Sequence, residues 1–443
     1  MTALSDSFMN LASLHPAQDT ADLEPLADIV GDARVVAVGE STHYSREFYL
    51  LRHRLARFLI ERLGFDAIAW ESGFPEAWQV DAWVGGGDGD VADVAHHGMT
   101  YMFGRCAEMR DLLSWLRSVN ERREQPVRFY GIDLPGSCGS VQPALRAVES
   151  YLADADPAAA PRMTRLRDLA ASFGGTDPAT DPANDAEARA ALRAYGALPA
   201  ADRDELTGRL ADLSARFDAA RLDYIERGGE AAYEIARQQL RVATGLDAWI
   251  RDYAAAAAGE HAFFDVNIRD ATMAQTTEWI LRRTGRLVVM AHNLHIQRTP
   301  YALSWLGTGE EPASASSLGH HLSARLGARY LALGTTFGGG EVIGIEEGDG
   351  EVRGWDVKDV VRQIEPPGPD VVDGLFDSVL GGPGVVDLRG LSERARQQVA
   401  AASGMHCLDQ VIKVPALDAF DALAHVPRLS LWRSAATAEL LGD

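Results

Sequence analysis

The chain is 443 residues long, with 47% hydrophobic and 24% charged residues and a formal net charge of −22. That composition describes a soluble globular protein of one large or two ordinary domains, with no apolar run near the ~20 residues that a membrane helix needs. Its basic residues are scattered rather than blocked, so a phosphate backbone would meet repulsion, and nucleic acid is excluded as an expected partner.

The first residues, MTALSDSFMNLASLHPAQ, lack the basic start and apolar stretch of a secretory signal, so the cytoplasm is the expected compartment. The first β-rich run is 35–38. Residues 46–63 then carry Phe48, Leu51, Leu55, Phe58 and Leu59 among charged positions, an amphipathic helix closed by Gly64. A second run, 67–70, precedes a helix over 75–84, the glycine-rich turn 85–90 and a helix over 105–120 with Met109, Leu112, Leu113 and Leu116 on one stripe. A third run, 127–132, follows.

From about 140 to 260 the strand signals stop, and the segment reads as helical, broken by a loop over 174–182. Strand patterns resume at 287–291, 330–333 and 385–388, and the tail after Val414 holds one more strand or a loop. Alternation of short strands and helices predicts an α/β fold with a mostly parallel central sheet flanked by helices. The expected division is a core over 1–139, a helical insertion over 140–262 that caps the carboxyl ends of the strands, and the rest of the core over 263–443. Cys106, Cys138 and Cys407 are too few and too far apart for a disulfide framework or a thiolate metal site, and read as free thiols.

In open α/β sheets ligands bind beyond the carboxyl ends of the strands. The residues there are Glu40, Ser41, Thr42 and His43 after the first run, Glu71 after the second, Asp133 after the third, and His292 and His295 after the fourth. Taken singly, each carboxylate is as well explained as a helix cap or an ion-pair partner. Their convergence on one edge is the argument for a catalytic site.

Five segments in order, Gly39-Glu40-Ser41-Thr42-His43, Trp70-Glu71-Ser72, Tyr130-Gly131-Ile132-Asp133, Arg269-Asp270-Ala271-Thr272-Met273-Ala274 and Ala291-His292-Asn293-Leu294-His295, resemble the motifs of the erythromycin esterase family. The likeness runs from about residue 30 to 345. It implies an α/β core with a helical insertion, and hydrolysis of an ester or a macrolactone with no obligatory metal or other cofactor. It also implies His43 as the essential histidine, with Glu40, Arg52, Glu71, His292 and His295 at the other active-site positions. A bulky small-molecule natural product is the implied partner.

An imidazole near its ordinary pKa of ~6.5 can take a proton from water, and Glu71 or Glu40 can orient it. Arg52, or one of His292 and His295, would then stabilise the charge that develops on the carbonyl oxygen. Read without the resemblance, Arg52 is a solvated helix residue. Tyr44, Trp78, Tyr101 and Phe103 suit an apolar cleft, and Asp133 and Arg269 would contact substrate. Asp133 equally suits a turn cap. Arg269 and Asp270 either reach the cleft or pair with neighbouring helices.

Rival readings use the same residues. His43, His292, His295, Glu40 and Glu71 form a set that zinc or manganese accepts, although the spacing is not that of a helical His-Glu-x-x-His. Ser41 lacks the Gly-x-Ser-x-Gly turn of a serine nucleophile. The doublets His96-His97 and His320-His321 read as surface or cap features. A tailoring enzyme of secondary metabolism using the same His/Glu site, or a non-catalytic protein holding a haem-like ligand, are the alternatives, and a Soret band would mark the last.

Overall fold

The computed structural model describes residues 4–174, 185–261, 266–303, 313–347 and 357–432, so the expected loop over 174–182 lies almost wholly outside the described residues. Eight strands form the central sheet: β1 (Phe8–Asn10), β2 (Val35–Val38), β3 (Ala67–Gly73), β4 (Arg128–Asp133), β5 (Leu287–Met290), β8 (Tyr330–Phe337), β11 (Gly384–Asp387) and β14 (Ala422–Val426). Three two-stranded ribbons complete the β structure: β6 (Tyr301–Leu303) with β7 (Ala313–Ala315), β9 (Gly340–Glu347) with β10 (Val357–Ile364), and β12 (Met405–Cys407) with β13 (Gln410–Ile412).

The strand order is β1-β11-β14-β8-β2-β5-β3-β4. All neighbours from β14 to β4 pair in parallel, and only the β1–β11 and β11–β14 pairs are antiparallel. The mostly parallel α/β sheet expected from the sequence is therefore present. Because β2, β3, β4, β5 and β8 run the same way, their carboxyl ends share one edge, where ligands bind in such sheets.

Strand side chains alternate between two cores. Val36, Val38, Ile68, Trp70, Val288 and Met290 face the core built with α2 (Arg46–Leu63), α3 (Ala77–Val84) and α5 (Ala107–Asn120). Val35, Ala37, Ala67, Ala69, Leu287 and Val289 face the other. α2 spans the range read from its apolar stripe and ends on Gly64, whose φ of 71° is the left-handed C-cap conformation. A further helix, α4 (Val91–Gly98), follows directly on the glycine-rich turn 85–90, in a stretch to which the sequence alone assigned no element. Its N-cap Asp90 accepts a hydrogen bond from Ala92 N at 2.8 Å, the cue that the turn residues hid.

Between β4 and β5 the described residues are helical: α6 (Gln142–Ala155), α7 (Ala160–Ala171), α8 (Asp185–Ala197), α9 (Ala200–Ala219), α10 (Arg221–Gly228) and α11 (Glu230–Ala257). These helices have no separate core. Leu145, Leu210, Phe217, Leu240 and Leu246 join the same buried cluster as Val35 and Ala69, through α6, α11 and the following α12 (Ile268–Leu281). At one end α8 closes on the turn after β4, since a Cβ on Gly139 would lie 2.8 Å from Ala188 Cα. No described helix is long and apolar enough to cross a membrane.

One glycine fixes the functional edge. A Cβ on Gly39 would lie 2.0 Å from Asn293 Oδ1. That oxygen cannot swing aside, because it accepts from Thr335 N at 3.0 Å while its Nδ2 donates to Thr335 O at 2.8 Å. Gly39→Ala should therefore destabilise the protein by about 1–3 kcal/mol, the usual cost of overpacking, read as a lower urea midpoint; an unchanged midpoint would show the loop to be compliant.

Candidate active site

The loop from β2 to α2 is pinned on both sides before its side chains are considered. Glu40 O accepts from Asn293 N at 2.8 Å, and Ser41 O accepts from Leu408 N, in the β12–β13 turn, at 2.8 Å. Tyr44 takes a left-handed φ of 61°, which turns the chain sharply into α2. His43 sits on this rigid bend, with about a quarter of its side chain (26%) exposed.

His43 Nδ1 donates to Glu40 Oε1 at 2.7 Å. Arg52 Nη1 forms an ion pair with Glu40 Oε2 at 2.9 Å, so the three side chains make a line from buried cation to half-buried imidazole. Burial lowers the His43 pKa, but the hydrogen bond and charge of Glu40, joined by the charge of Glu71, outweigh it and hold the ring above the ordinary 6.5. With Nδ1 committed to Glu40, Nε2 is the nitrogen left to act as a base.

Arg52 is not the solvated residue that helix position alone suggested, nor a donor for substrate. It is 1% exposed and lies 5.3 Å from the Trp70 ring centre. Its remaining donors reach backbone carbonyls, with Nε 3.3 Å from Gly39 O and Nη2 2.6 Å from Ala291 O. The residue positions Glu40 and ties β2 to β5.

A second network surrounds Glu71, which lies where the β3–β4 register shifts after Trp70, an irregularity of the kind that re-aims side chains beside active sites. Glu71 Oε2 accepts from His292 N at 2.7 Å, and Oε1 pairs with Arg269 Nη2 and with His295 Nε2, both at 3.1 Å. Burial would raise its pKa, but the charges of His295, His43 and Arg269 hold it well below the carboxylate range. Arg269 also grips Asp133 through two nitrogens, Nε 3.0 Å from Oδ1 and Nη2 2.5 Å from Oδ2.

The two histidines after β5 differ in charge. His292 Nε2 donates to Ser41 O at 3.0 Å while Nδ1 accepts from Leu294 N at 3.2 Å, a pattern only the neutral ring satisfies. Burial, and then the neighbouring His43, push its pKa down to about 3. His295 is the opposite case. Burial works against its charge, yet Asp270 and Glu71 raise its pKa to about 10. It stands as an imidazolium at neutral pH.

Around His43 lie the rings of Tyr44, Phe103 and His292, with centroids 5.9, 5.5 and 5.0 Å from its own. Tyr101 donates from its hydroxyl to Asp133 Oδ2 at 3.0 Å and stands in a left-handed backbone conformation, as do Met102, Ser137 and Cys138. The two bends are joined by Tyr101 N donating to Ser137 Oγ at 3.1 Å. Strained segments packed on each other beside ionised groups mark a built wall rather than a loose loop.

Trp78 does not join this group. It packs edge-on against Phe74 and Tyr130 at 5.8 and 5.9 Å, because α3 turns that face toward the core under β4. Asp270 was visible in the sequence only as one of two roles, and its side chain proves to contact His295. The β12–β13 ribbon gave no chemical signal at all, since it acts through the backbone of Leu408. The three cysteines are buried free thiols, and burial pushes the Cys138 thiol up. Among the described residues, no group of three or more His, Cys, Asp or Glu side chains is arranged to hold a metal ion.

The family model for erythromycin esterase matches residues 60–429. The chain is 27% identical to erythromycin esterase type II of Escherichia coli over 423 residues, covering 94% of each chain. It is also 27% identical to erythromycin esterase type I of Escherichia coli over 320 residues, 71% of this chain and 73% of that one. A solved structure of a histidine-to-asparagine mutant of the erythromycin esterase EreC, in its open conformation, superposes with a TM-score of 0.78 at 20% identity, covering 95% of this chain and 97% of that one. With a family match over most of its length, the motifs in order and the fold in common, the chain belongs to the erythromycin esterase family of hydrolases.

Proposed function

We propose that the protein hydrolyses the ester bond of a bulky natural product, a macrolactone being the first candidate, by water attack with His43 as general base. The observation that carries this reading is the Glu40–His43 hydrogen bond of 2.7 Å, which fixes the Nδ1–H tautomer and leaves Nε2 free to take a proton from water. Glu40 stabilises the imidazolium formed, and Arg52 keeps Glu40 in place.

As hydroxide adds to the carbonyl carbon, negative charge moves to the carbonyl oxygen. Arg269 suits the role of donor. Its Nε and Nη2 are held by Asp133 and Glu71, its side chain is 20% exposed, and its Nη1 donates to no described residue. When the tetrahedral intermediate collapses, the C–O bond breaks and the proton on His43 passes to the departing alkoxide, giving a carboxylic acid and an alcohol. Tyr44, Tyr101 and Phe103 would line the apolar side of the cleft.

The reaction proposed uses no resident metal or cofactor. Both nitrogens of His292 and both of His295 face protein partners, which leaves them poor ligands. In this reading residues 1–139 and 263–443 supply the core, residues 140–262 shape the substrate side of the cleft, and the protein works in the cytoplasm without nucleic acid or membrane partners.

The test is a panel of macrolides and simpler lactones incubated with chelator-treated protein and followed by mass spectrometry. A gain of one water by at least one ester supports the proposal, and inertness toward every ester in the panel while the folded protein acts on another bond would overturn it. The pH profile offers a second check. Because the base works deprotonated and its pKa is raised, kcat/KM should climb through a midpoint above 6.5. A midpoint below that value would point to a different base.

A further inference from the structure

Asp270 lies in the first turn of α12, whose N-cap Asn267 accepts from Asp270 N at 3.2 Å. Its carboxylate does more than complement a helix end. Both Oδ1 and Oδ2 lie 2.9 Å from His295 Nδ1, and Oδ2 also accepts from Leu318 N, the first residue of α14 (Leu318–Leu326), at 2.8 Å. The side chain is 1% exposed, so it joins α12, α14 and the short helix α13 (Asn293–Ile296) that carries His295.

On the far side of the ring, His295 Nε2 faces Glu71 Oε1 at 3.1 Å. Carboxylates opposite both nitrogens of one imidazole are satisfied together only by the doubly protonated ring, because a neutral ring has a single N–H. The other charged or titratable groups near the pair are Arg269 on the same helix, His292 beside His295, Tyr301 on β6 and His321 on α14. Arg269 opposes the charge on His295, so Asp270 and Glu71 together must outweigh it.

Building on the hydrolytic reading above, we infer that Asp270 is a positioning residue for the reaction: it fixes His295 as a ring that donates from both nitrogens, and thereby holds the Glu71 carboxylate toward His292 N and Arg269. Asp270 touches no reacting atom. Its effect on chemistry passes through Glu71, whose charge supports the His43 imidazolium, and through Arg269, whose orientation Glu71 shares with Asp133.

Asp270→Asn preserves shape and removes the counter-charge. His295 then loses its proton near the ordinary imidazole pKa of ~6.5 rather than near the raised value, and Glu71 then faces a neutral ring in place of a cation. The expected result is a kcat lower by roughly 10–100-fold with KM little changed, by analogy with the range seen when carboxylates behind metal-bound histidines are removed. The kcat profile, which in the wild type rises through His43 and stays level into the alkaline range, should gain a falling limb near neutral pH. Asp270→Glu, which restores the charge, should restore the level profile.

The readout that does not depend on turnover is imidazole NMR with histidine labelled at nitrogen. His295 should remain an imidazolium above pH 8 in the wild type and titrate near neutrality in Asp270→Asn. A wild-type His295 that titrates below pH 8, or an Asp270→Asn profile scaled down without a new limb, would overturn the inference. Should Asp270→Asn fail to fold, the wild-type titration still decides it. Failure of the hydrolytic reading would look different, with no ester turned over by the wild type whatever the state of His295.

Discussion

His43→Ala is expected to lower kcat by about 10²–10⁴-fold while leaving the melting transition and the circular dichroism spectrum in place. The size follows from the removal of one general base, with the rest of the site unchanged. The intact fold follows from where the ring sits. His43 is half-buried on a bend whose backbone is held independently, by Asn293 N on Glu40 O and by Leu408 N on Ser41 O. Removing the ring leaves the Glu40–Arg52 ion pair whole, so no buried charge is orphaned. Undiminished turnover by a folded His43→Ala protein would contradict the assignment.

Arg52→Met is expected to behave in the opposite way, striking stability as well as activity. Methionine keeps much of the apolar stem over Trp70 but removes the guanidinium. Glu40, 1% exposed, would be left as a buried carboxylate without its cation, and Gly39 O and Ala291 O would each lose a donor. Breaking one side of a buried pair costs roughly 3–5 kcal/mol, because the remaining charge stays desolvated. A urea titration of the purified variant reads this directly. A loss under about 1 kcal/mol would mean that water reaches Glu40 and that the pair is less isolated than its burial indicates.

The parallel core was legible because its strands are short apolar runs set between helices with clear stripes. α2 was readable to its last residue, since the apolar period and Gly64 agree on where it stops. β11, which lies between β1 and β14, and β14 itself were harder. Val385 and Val386 are apolar enough to read, but Ala422 to Val426 is a run of small residues with a histidine that gives no pattern until β8 lies beside it.

The site was legible as a set of residue types at strand ends, and the structure brings Glu40, His43, Glu71, His292, His295, Asp133 and Arg269 to that edge. What the types do was not legible. Arg52 reads as a surface residue from its helix position, yet α2 is buried on that face by β2 and β5. His292 and His295 are three residues apart and alike in sequence, but one is neutral and the other charged, because the partners that decide this, Ser41 O and Asp270, come from distant segments. Trp78 misled for the same reason, since the core under β4 claims its ring.

The most direct test of water attack is a single turnover in water enriched in oxygen-18, with enzyme in excess over an ester found to be a substrate. The product carboxylate should carry one solvent oxygen in that first turnover. An unlabelled carboxylate, with the solvent oxygen found in Glu71 or another protein carboxylate after that same turnover, would show that a protein oxygen attacks the ester and that water then opens the mixed anhydride at the side-chain carbon, so that His43 does not direct water onto the ester.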